Sequence, residues 1–251
     1  MISMANMINW FDTIDSTNSE ALRQFSQCDD FTVFAAKFQT GGRGQKGTKW
    51  ESAPGENLTF SIILKPKNIK AQSQFIIAQV VTVGLKRYLK ERGIDSTIKW
   101  PNDIYAGDKK ICGILIENFV TGDTLSGSIV GIGLNVNQNL FESDAPNPVS
   151  ISILTKEVYD TKKELELLSN IIKELYDSAD SSTPASFLKN LEIEYKDSLY
   201  RREGYHLYQQ MPDGEVFKAR ISGIDSSACL ILEREDGRVK RYSFKEIKYI
   251  L

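Results

Sequence analysis

Apolar positions change their period along the chain, and each period predicts an element. Trp10-Phe11-Asp12-Thr13-Ile14 reads as a short strand. Residues 32–39 and 57–64 are apolar runs with imperfect alternation, the pattern of strands buried on both faces. Between Ala71 and Glu91, Phe75, Ile76, Val80, Val83, Leu85, Tyr88 and Leu89 form one broad stripe, which predicts a helix. Gly93 lies just past its end. Residues 109–117 and 125–137 read as strands joined by a tight Gly122-Asp123 turn, with 109–117 apolar enough to be central. Thr161 to Asp177 and Pro184 to Tyr195 read as amphipathic packing helices. From about Arg202 the pattern becomes five short strands, with turns at Pro212-Asp213-Gly214, Gly223-Ile224-Asp225 and Glu235-Asp236-Gly237. That spacing predicts a small β-barrel. The fold class is therefore α+β: a mixed sheet packed by helices over residues 1–200, then a C-terminal barrel over 201–251.

The connections carry more information than the elements. Gln39 to Trp50 holds four glycines and three cations in twelve residues. Such a loop can bring backbone N–H groups against an anion. It also fits a flexible hairpin with solvated charges, and the loop alone leaves both readings open. Ser16-Thr17-Asn18 stands at a helix start, where Thr17 with Glu20 fits a capping box. A helix start also offers free N–H groups to an anion or a polar ring. In Lys99-Trp100-Pro101-Asn102-Asp103, Pro101 holds Trp100 extended and Asn102-Asp103 turns the chain. Gly113, Gly131 and Gly133 interrupt strands, where glycine is costly unless something approaches the backbone closely. Tight packing on a neighbouring helix would explain Gly131 and Gly133. A wall flush against a ligand would also explain Gly113, and that reading is preferred.

Composition narrows the class. Hydrophobic residues make up 41% of 251, with 25% charged, which is ordinary for a globular protein. The net charge of −2 argues against general nucleic-acid binding. Cys28, Cys112 and Cys229 are odd in number and far apart, so a reducing compartment is expected. His206 is the only histidine, leaving little material for a Ser-His-Asp triad or a zinc site, and it is expected on a strand surface. No signal peptide is recognised, and no window reaches the roughly 18 apolar residues of a membrane span. A cytoplasmic location, with no membrane partner, is expected.

The candidate site gathers Ser16, Thr17, Asn18, Gln39, Arg43, Lys46, Asp103, Lys110, Gly113 and the 131–133 strand. Apart from Asp103 these are cations, glycines and neutral polar groups. That set does not suit hydrolysis by an acid–base pair. It suits bringing an anionic carboxylate and an anionic phosphate together, with Mg²⁺ on an acidic residue. Attack of a carboxylic acid on ATP, giving an acyl-adenylate, is such a reaction.

These residues resemble the biotin protein ligase family. The resemblance rests on Asp15-Ser16-Thr17-Asn18, on Gln39 with Gly42-Arg43-Gly44-x-x-Gly47 and Trp50, on Lys99-Trp100-Pro101-Asn102-Asp103, on Lys110-x-x-Gly113-Ile114-Leu115-Ile116-Glu117, and on Gly131-Ile132-Gly133-Leu134-Asn135-Val136-Asn137. It spans nearly the whole chain in the family's order. It implies a catalytic domain like that of class II aminoacyl-tRNA synthetases and an SH3-like C-terminal barrel. It also implies two reactions. Biotin and MgATP give biotinoyl-5′-AMP and pyrophosphate, and a lysine of a biotin carboxyl carrier domain then takes the biotinyl group. Carried over by position, Ser16, Thr17, Asn18, Gln39, Gly42, Arg43, Gly44, Lys110, Gly113, Gly131 and Gly133 would surround biotin. Arg43, Gln45, Lys46, Trp50, Asn102, Lys110 and Asn135 would face the nucleotide. Arg43 and Lys110 would be catalytic, Asp103 would hold Mg²⁺, and Trp50 would close over the intermediate. For Asp103 a turn-capping role is the simpler alternative, and for Glu117 a plain strand-end charge.

Two departures stand out. Better-known members often carry a second arginine two residues after the first, where this chain has Gln45 with Lys46 next. Either the grip on the adenylate is weaker or Lys46 compensates. Some relatives carry an N-terminal DNA-binding domain. This chain starts about ten residues before its first predicted strand, so a short form without operator binding is expected, as monomer or homodimer. The competing readings are a lipoate ligase or octanoyltransferase, which would bind a linear acyl chain, and a non-catalytic biotin sensor. Arg43 and Lys110 argue against the sensor, since binding alone does not need two cations near a carboxylate.

Overall fold

A computed structural model describes residues 8–44, 49–142, 147–182, 184–225 and 227–250. The elements run β1 (Ile8–Ile14), α1 (Thr17–Gln24), β2 (Thr32–Gln39), β3 (Leu58–Leu64), α2 (Phe75–Glu91), β4 (Thr97–Lys99), β5 (Asp103–Ala106), β6 (Lys109–Thr121) and β7 (Thr124–Leu134). They continue with α3 (Ile151–Thr155), α4 (Thr161–Ala179), α5 (Ala185–Asp197), β8 (His206–Gln210), β9 (Val216–Ile224), β10 (Leu230–Arg234), β11 (Val239–Tyr242) and β12 (Ile247–Tyr249). The first seven strands form one sheet in the order β1-β2-β3-β7-β6-β5-β4, parallel only between β1 and β2. The last five form a separate antiparallel sheet in the order β11-β10-β9-β8-β12. This is the α+β arrangement expected.

The strand side chains divide cleanly by parity. On β3, Leu58, Phe60, Ile62 and Leu64 join the main core with Val80, Val83 and Leu85 of α2 and Leu165, Leu168 and Ile172 of α4. Ile63 instead joins Ala21 of α1, Phe34 of β2 and Ile129 of β7 in a second cluster on the opposite face. All of β3 is buried because both faces are covered, which is why its sequence alternates poorly. On that second face α1 covers only part of the sheet, and the candidate site lies beside it.

The helical layer is tight. A Cβ on Gly84 of α2 would come within 2.9 Å of Ile172 Cγ1 on α4. Beside this crossing, Glu164 accepts from Arg92 Nε at 2.8 Å and from the Tyr88 hydroxyl. Burial, with the Glu164 charge, pushes the Tyr88 phenol far up, so it stays a donor.

Three expectations are corrected in detail, and one short helix is added. The stretch 71–91 opens with a short 3-10 turn, Ala71–Ser73, and is α-helical only from Phe75. Residues 151–155 form a helix that the apolar pattern does not reveal: it is one turn long, and the Ser150 hydroxyl caps it by accepting from Ile153 N–H. The chain turns at Pro101-Asn102, so Asp103 is already the first residue of β5, paired with Lys99. The capping box does not form. Ser16 is the N-cap of α1, and Thr17 lies one residue inside, its N–H taken by the Gln39 side chain.

The second sheet leans on the 99–101 turn and on the chain after α5. Trp100 Nε1 donates to Ala228 O at 3.1 Å, Tyr200 packs on Tyr249, and Arg201 Nη1 donates to Ile250 O at 2.7 Å. His206 opens β8 half-buried, as expected of a strand surface. Among the described residues no helix is long and apolar enough to cross a membrane.

Gly84→Val forces two rigid side chains into one space at the α2–α4 crossing. It is expected to lower unfolding stability by about 1–3 kcal/mol. Urea titration followed by circular dichroism measures this; an unchanged midpoint would show that the crossing has slack.

Candidate active site

The site is laid out in rows across β3, β7 and β6. Register places Thr59, Gly133 and Gly113 in one row, and Ser61, Gly131 and Leu115 in the next. Ile63, Ile129 and Glu117 form the third. All lie on the face that α1 partly covers, since residues two apart on a strand share a face. The glycines remove side chains from the middle of this surface.

Over the second row sits a buried polar cluster. Ser16, Thr17, Asn18 and Ser61 are all at most 4% exposed, so nearly every polar atom needs a protein or ligand partner. Ser61 Oγ lies 2.7 Å from Thr17 Oγ1 and 2.5 Å from Asn18 Oδ1. Gln39 Oε1 accepts from Thr17 N–H at 2.7 Å and from its hydroxyl at 3.1 Å. Asn18 Nδ2 donates to Glu117 Oε2 at 2.9 Å, and Arg43 Nη2 donates to the same oxygen at 3.1 Å. Gly131 is the seat of Asn18: a Cβ there would lie 2.0 Å from Asn18 Oδ1. This glycine therefore clears space for a protein side chain, and the ligand-wall reading is corrected at that position.

The first row carries the other end of the site. A Cβ on Gly133 would lie 2.2 Å from the Trp50 indole, and one on Gly113 would lie 2.8 Å from it. The ring rests on bare backbone across the two strands. Its Nε1 is buried without a hydrogen-bond partner. Lys110 Nζ lies 3.2 Å from the same Gly113 position and 5.8 Å from the indole centroid. It donates to Asp103 Oδ2 at 2.7 Å, each side chain being 27% exposed.

The glycine-rich loop is closed at its base. Trp50 N–H donates to Gly42 O at 3.2 Å, and Arg43 bridges Lys49 in antiparallel fashion. Gly42 sits against Gln39 and Trp50, and Gly44 follows Arg43. Gln45 and Lys46 lie outside the described residues. Arg43 and Lys110 share the site face of β6 without touching. Their strand anchors, Glu117 and Gly113, are four residues apart, about 13 Å at strand rise.

Asn102 and Asn135, expected to face the nucleotide, each also hold backbone beside the site. Asn102 is buried and donates to Ile114 O at 2.8 Å, tying the 100–102 turn to β6. Asn135 is buried and donates to Val149 O at 3.0 Å, holding residues 147–151 beside Lys110. Two residues of the site were not predicted. Ser61 gave no signal in an apolar strand, and Glu117 read as a strand-end charge although it lies within β6. Only register brings them to Asn18 and Arg43.

The profile of the biotin/lipoate A/B protein ligase family matches residues 10–135, which carry all of this geometry except the 147–151 brace. The chain belongs to this family of enzymes. The bifunctional ligase/repressor BirA of Bacillus subtilis (strain 168) is 28% identical over 249 residues, covering 96% of this chain and 73% of that protein. The biotin–[acetyl-CoA-carboxylase] ligase of Paracoccus denitrificans is 32% identical over 164 residues, covering 62% of this chain and 67% of that one. Among solved structures, the biotin protein ligase from Aquifex aeolicus in complex with biotin and ATP shares the fold. Its TM-score is 0.78 at 23% identity, over 97% of this chain and 99% of that chain.

Gly131→Ala drives a methyl group into Asn18, and is expected to cost about 1–3 kcal/mol of stability. Adding Asn18→Ala should recover part of that loss, giving a coupling energy of about 1 kcal/mol in a double-mutant cycle. Additive losses would show that the two residues do not share this space.

Proposed function

We propose that this chain is a biotin protein ligase: it activates biotin with ATP to biotinoyl-5′-AMP and transfers the biotinyl group to a lysine of a biotin carboxyl carrier domain. The observation that carries this reading is the order of features along one sheet face. A buried polar cluster at Ser61, Thr17 and Asn18, held at its edge by the half-buried Glu117, comes first, then bare backbone at Gly113 and Gly133, then the Lys110 ammonium. Biotin has the same order: a cyclic urea with donors and an acceptor, a compact bicycle, and a chain ending in a carboxylate. The dithiolane of lipoate offers no such polar head, and would leave the cluster facing apolar atoms. The named ligases among the relatives support the same choice.

Biotin binding requires the Trp50 indole to leave the glycine row, because ring and bicycle occupy one space. Lys110 then faces the biotin carboxylate and the α-phosphate together. A carboxylate oxygen attacks the α-phosphorus, the bond to the β-phosphate breaks, and pyrophosphate leaves. Lys110 neutralises the charge that builds on the attacked phosphate. Arg43, exposed at 43% and held by Glu117, has the reach of a loop residue and folds over the ligand with Trp50. The carrier lysine amine attacks the acyl carbon, forming an amide and releasing AMP. The nucleophile belongs to the partner, consistent with a site built of cations and neutral groups.

Among the described residues no three His, Cys, Asp or Glu gather as a metal cage. Mg²⁺ commonly needs only one or two carboxylates, the rest being phosphates and water. Asp103 fits that demand for an ion arriving with ATP, where it would neutralise phosphate charge.

The test is to incubate the protein with biotin, MgATP and a purified carrier domain, then weigh the carrier. One biotinyl group should be added, and only with ATP. Transfer of lipoate or octanoate instead, or biotin binding without transfer, would overturn the reading. Lys110→Ala should slow biotin-dependent pyrophosphate release by about 10²–10³ with an unchanged melting temperature. Near wild-type release would remove Lys110 from the chemistry.

A further inference from the structure

Glu117 stands at the end of the buried polar cluster, and its charge fixes which way hydrogen bonds run through that cluster. An ionised carboxylate has only acceptors, and a guanidinium only donors. Glu117 Oε2 takes one hydrogen from Arg43 Nη2 at 3.1 Å and one from Asn18 Nδ2 at 2.9 Å. The Asn18 amide is thereby held with its nitrogen on Glu117 and its oxygen toward Ser61. Asn18 Oδ1 can only accept, so the single hydrogen of the Ser61 hydroxyl goes to it, across 2.5 Å. Ser61 Oγ must then accept across its 2.7 Å contact with Thr17 Oγ1. That takes the Thr17 hydroxyl hydrogen, and the longer contact of the same hydroxyl with Gln39 Oε1, at 3.1 Å, is a secondary share. Gln39 Oε1 keeps the Thr17 N–H at 2.7 Å. One negative charge thus orders the cluster: Thr17 gives to Ser61, Ser61 to Asn18, and Asn18 to Glu117.

For a ligand, the consequence is a pocket whose hydroxyl hydrogens are already committed. Thr17 and Ser61 have each given their only hydroxyl hydrogen inside the protein, so what they turn outward is lone pairs. Thr17, Asn18 and Ser61 are all buried, which keeps bulk water from reversing the order. Ser16 differs. It caps α1 by position but makes no side-chain cap bond, so its hydroxyl can turn its hydrogen to a ligand carbonyl. The head group that matches is one carbonyl flanked by N–H groups. A ring with oxygen or sulfur in place of those N–H groups would set lone pairs against lone pairs, which a buried site rejects.

We infer that Glu117 is a specificity-determining positioning residue: acting through Asn18 and Ser61, it makes the head-group pocket an acceptor of ligand N–H groups. The inference deepens the biotin reading above and rests on it. Glu117 works without touching the ligand. It holds the order even when Arg43 leaves it, because the bond to Asn18 alone fixes the amide. A glutamine at this position would lose that control. Its side chain both donates and accepts, so it can turn over, Asn18 can turn with it, and Ser61 can give its hydrogen to a ligand instead.

Calorimetry on the full chain without ATP tests this, using biotin and its two ring carbamates, each with oxygen in place of one ureido N–H. Wild type should bind biotin about 10–100-fold more tightly than the weaker carbamate, the cost of opposing buried acceptors. Glu117→Gln should shrink that ratio to about threefold or less. Glu117→Asp keeps an acceptor-only group and should hold the ratio within about threefold of wild type. Asn18→Ala cuts the chain of bonds one step further in. It should shrink the ratio as well, and it keeps the inference testable if Glu117→Gln does not fold. Adding Glu117→Gln to Asn18→Ala should change the ratio no further. A merely structural Glu117 would lower the melting temperature and weaken all three ligands alike, leaving the ratio in place. An unchanged ratio in Glu117→Gln and Asn18→Ala, or no discrimination by wild type, overturns the inference whatever the carrier assay gives. A Glu117-dependent ratio with no transfer of biotin to a carrier domain would instead overturn the ligase reading.

Discussion

Opposed glycines on adjacent strands set the terms for everything near the site. Gly113 on β6 faces Gly133 on β7, and Gly131 lies one row away. A strand interior normally rejects glycine, because it adds chain entropy and packs nothing. Here the missing side chains let an indole and an amide lie directly on the sheet. The sheet can bear this because its other face is fully packed against α2 and α4. One side of the same strands supplies stability, and the other is left to recognition.

Charge follows the same division. Arg43 and Lys110 are each held by one carboxylate in a partly exposed pair, Arg43 by Glu117 and Lys110 by Asp103. Such pairs contribute little to stability, so exchanging the carboxylate for an anionic ligand costs little. A more buried charge pair, Glu164 with Arg92 and the Tyr88 hydroxyl, lies in the helical layer away from the site. Stronger, less exchangeable electrostatics therefore serve the scaffold. Weaker pairs lie where the proposed reaction would exchange their partners.

Much of this was legible in the chain. Helix α4 was bounded within two residues at its C-terminus, since its apolar stripe repeats cleanly. The five short C-terminal strands followed from regularly spaced turns. The glycine positions pointed correctly to close approach, yet not to what approaches. Gly131 receives Asn18 and Gly127 receives Phe25, both from the α1 region more than a hundred residues earlier. Pairing over that distance depends on strand register, which no single strand encodes. Ser61 and Glu117 were missed for the same reason. With Asp103 read as a turn residue, its pairing opposite Lys99 was not anticipated. Helix α3 has five residues, too few for a period to appear.

In the proposed reaction biotin replaces the Trp50 indole on the glycine row. A crystal structure of the protein after incubation with biotin and MgATP decides this. The bicycle should lie across Gly113 and Gly133, with its urea on Ser61, Thr17 and Asn18, and the indole lifted onto the acyl-adenylate. A ligand bound elsewhere, with Trp50 still seated on Gly133, would contradict it.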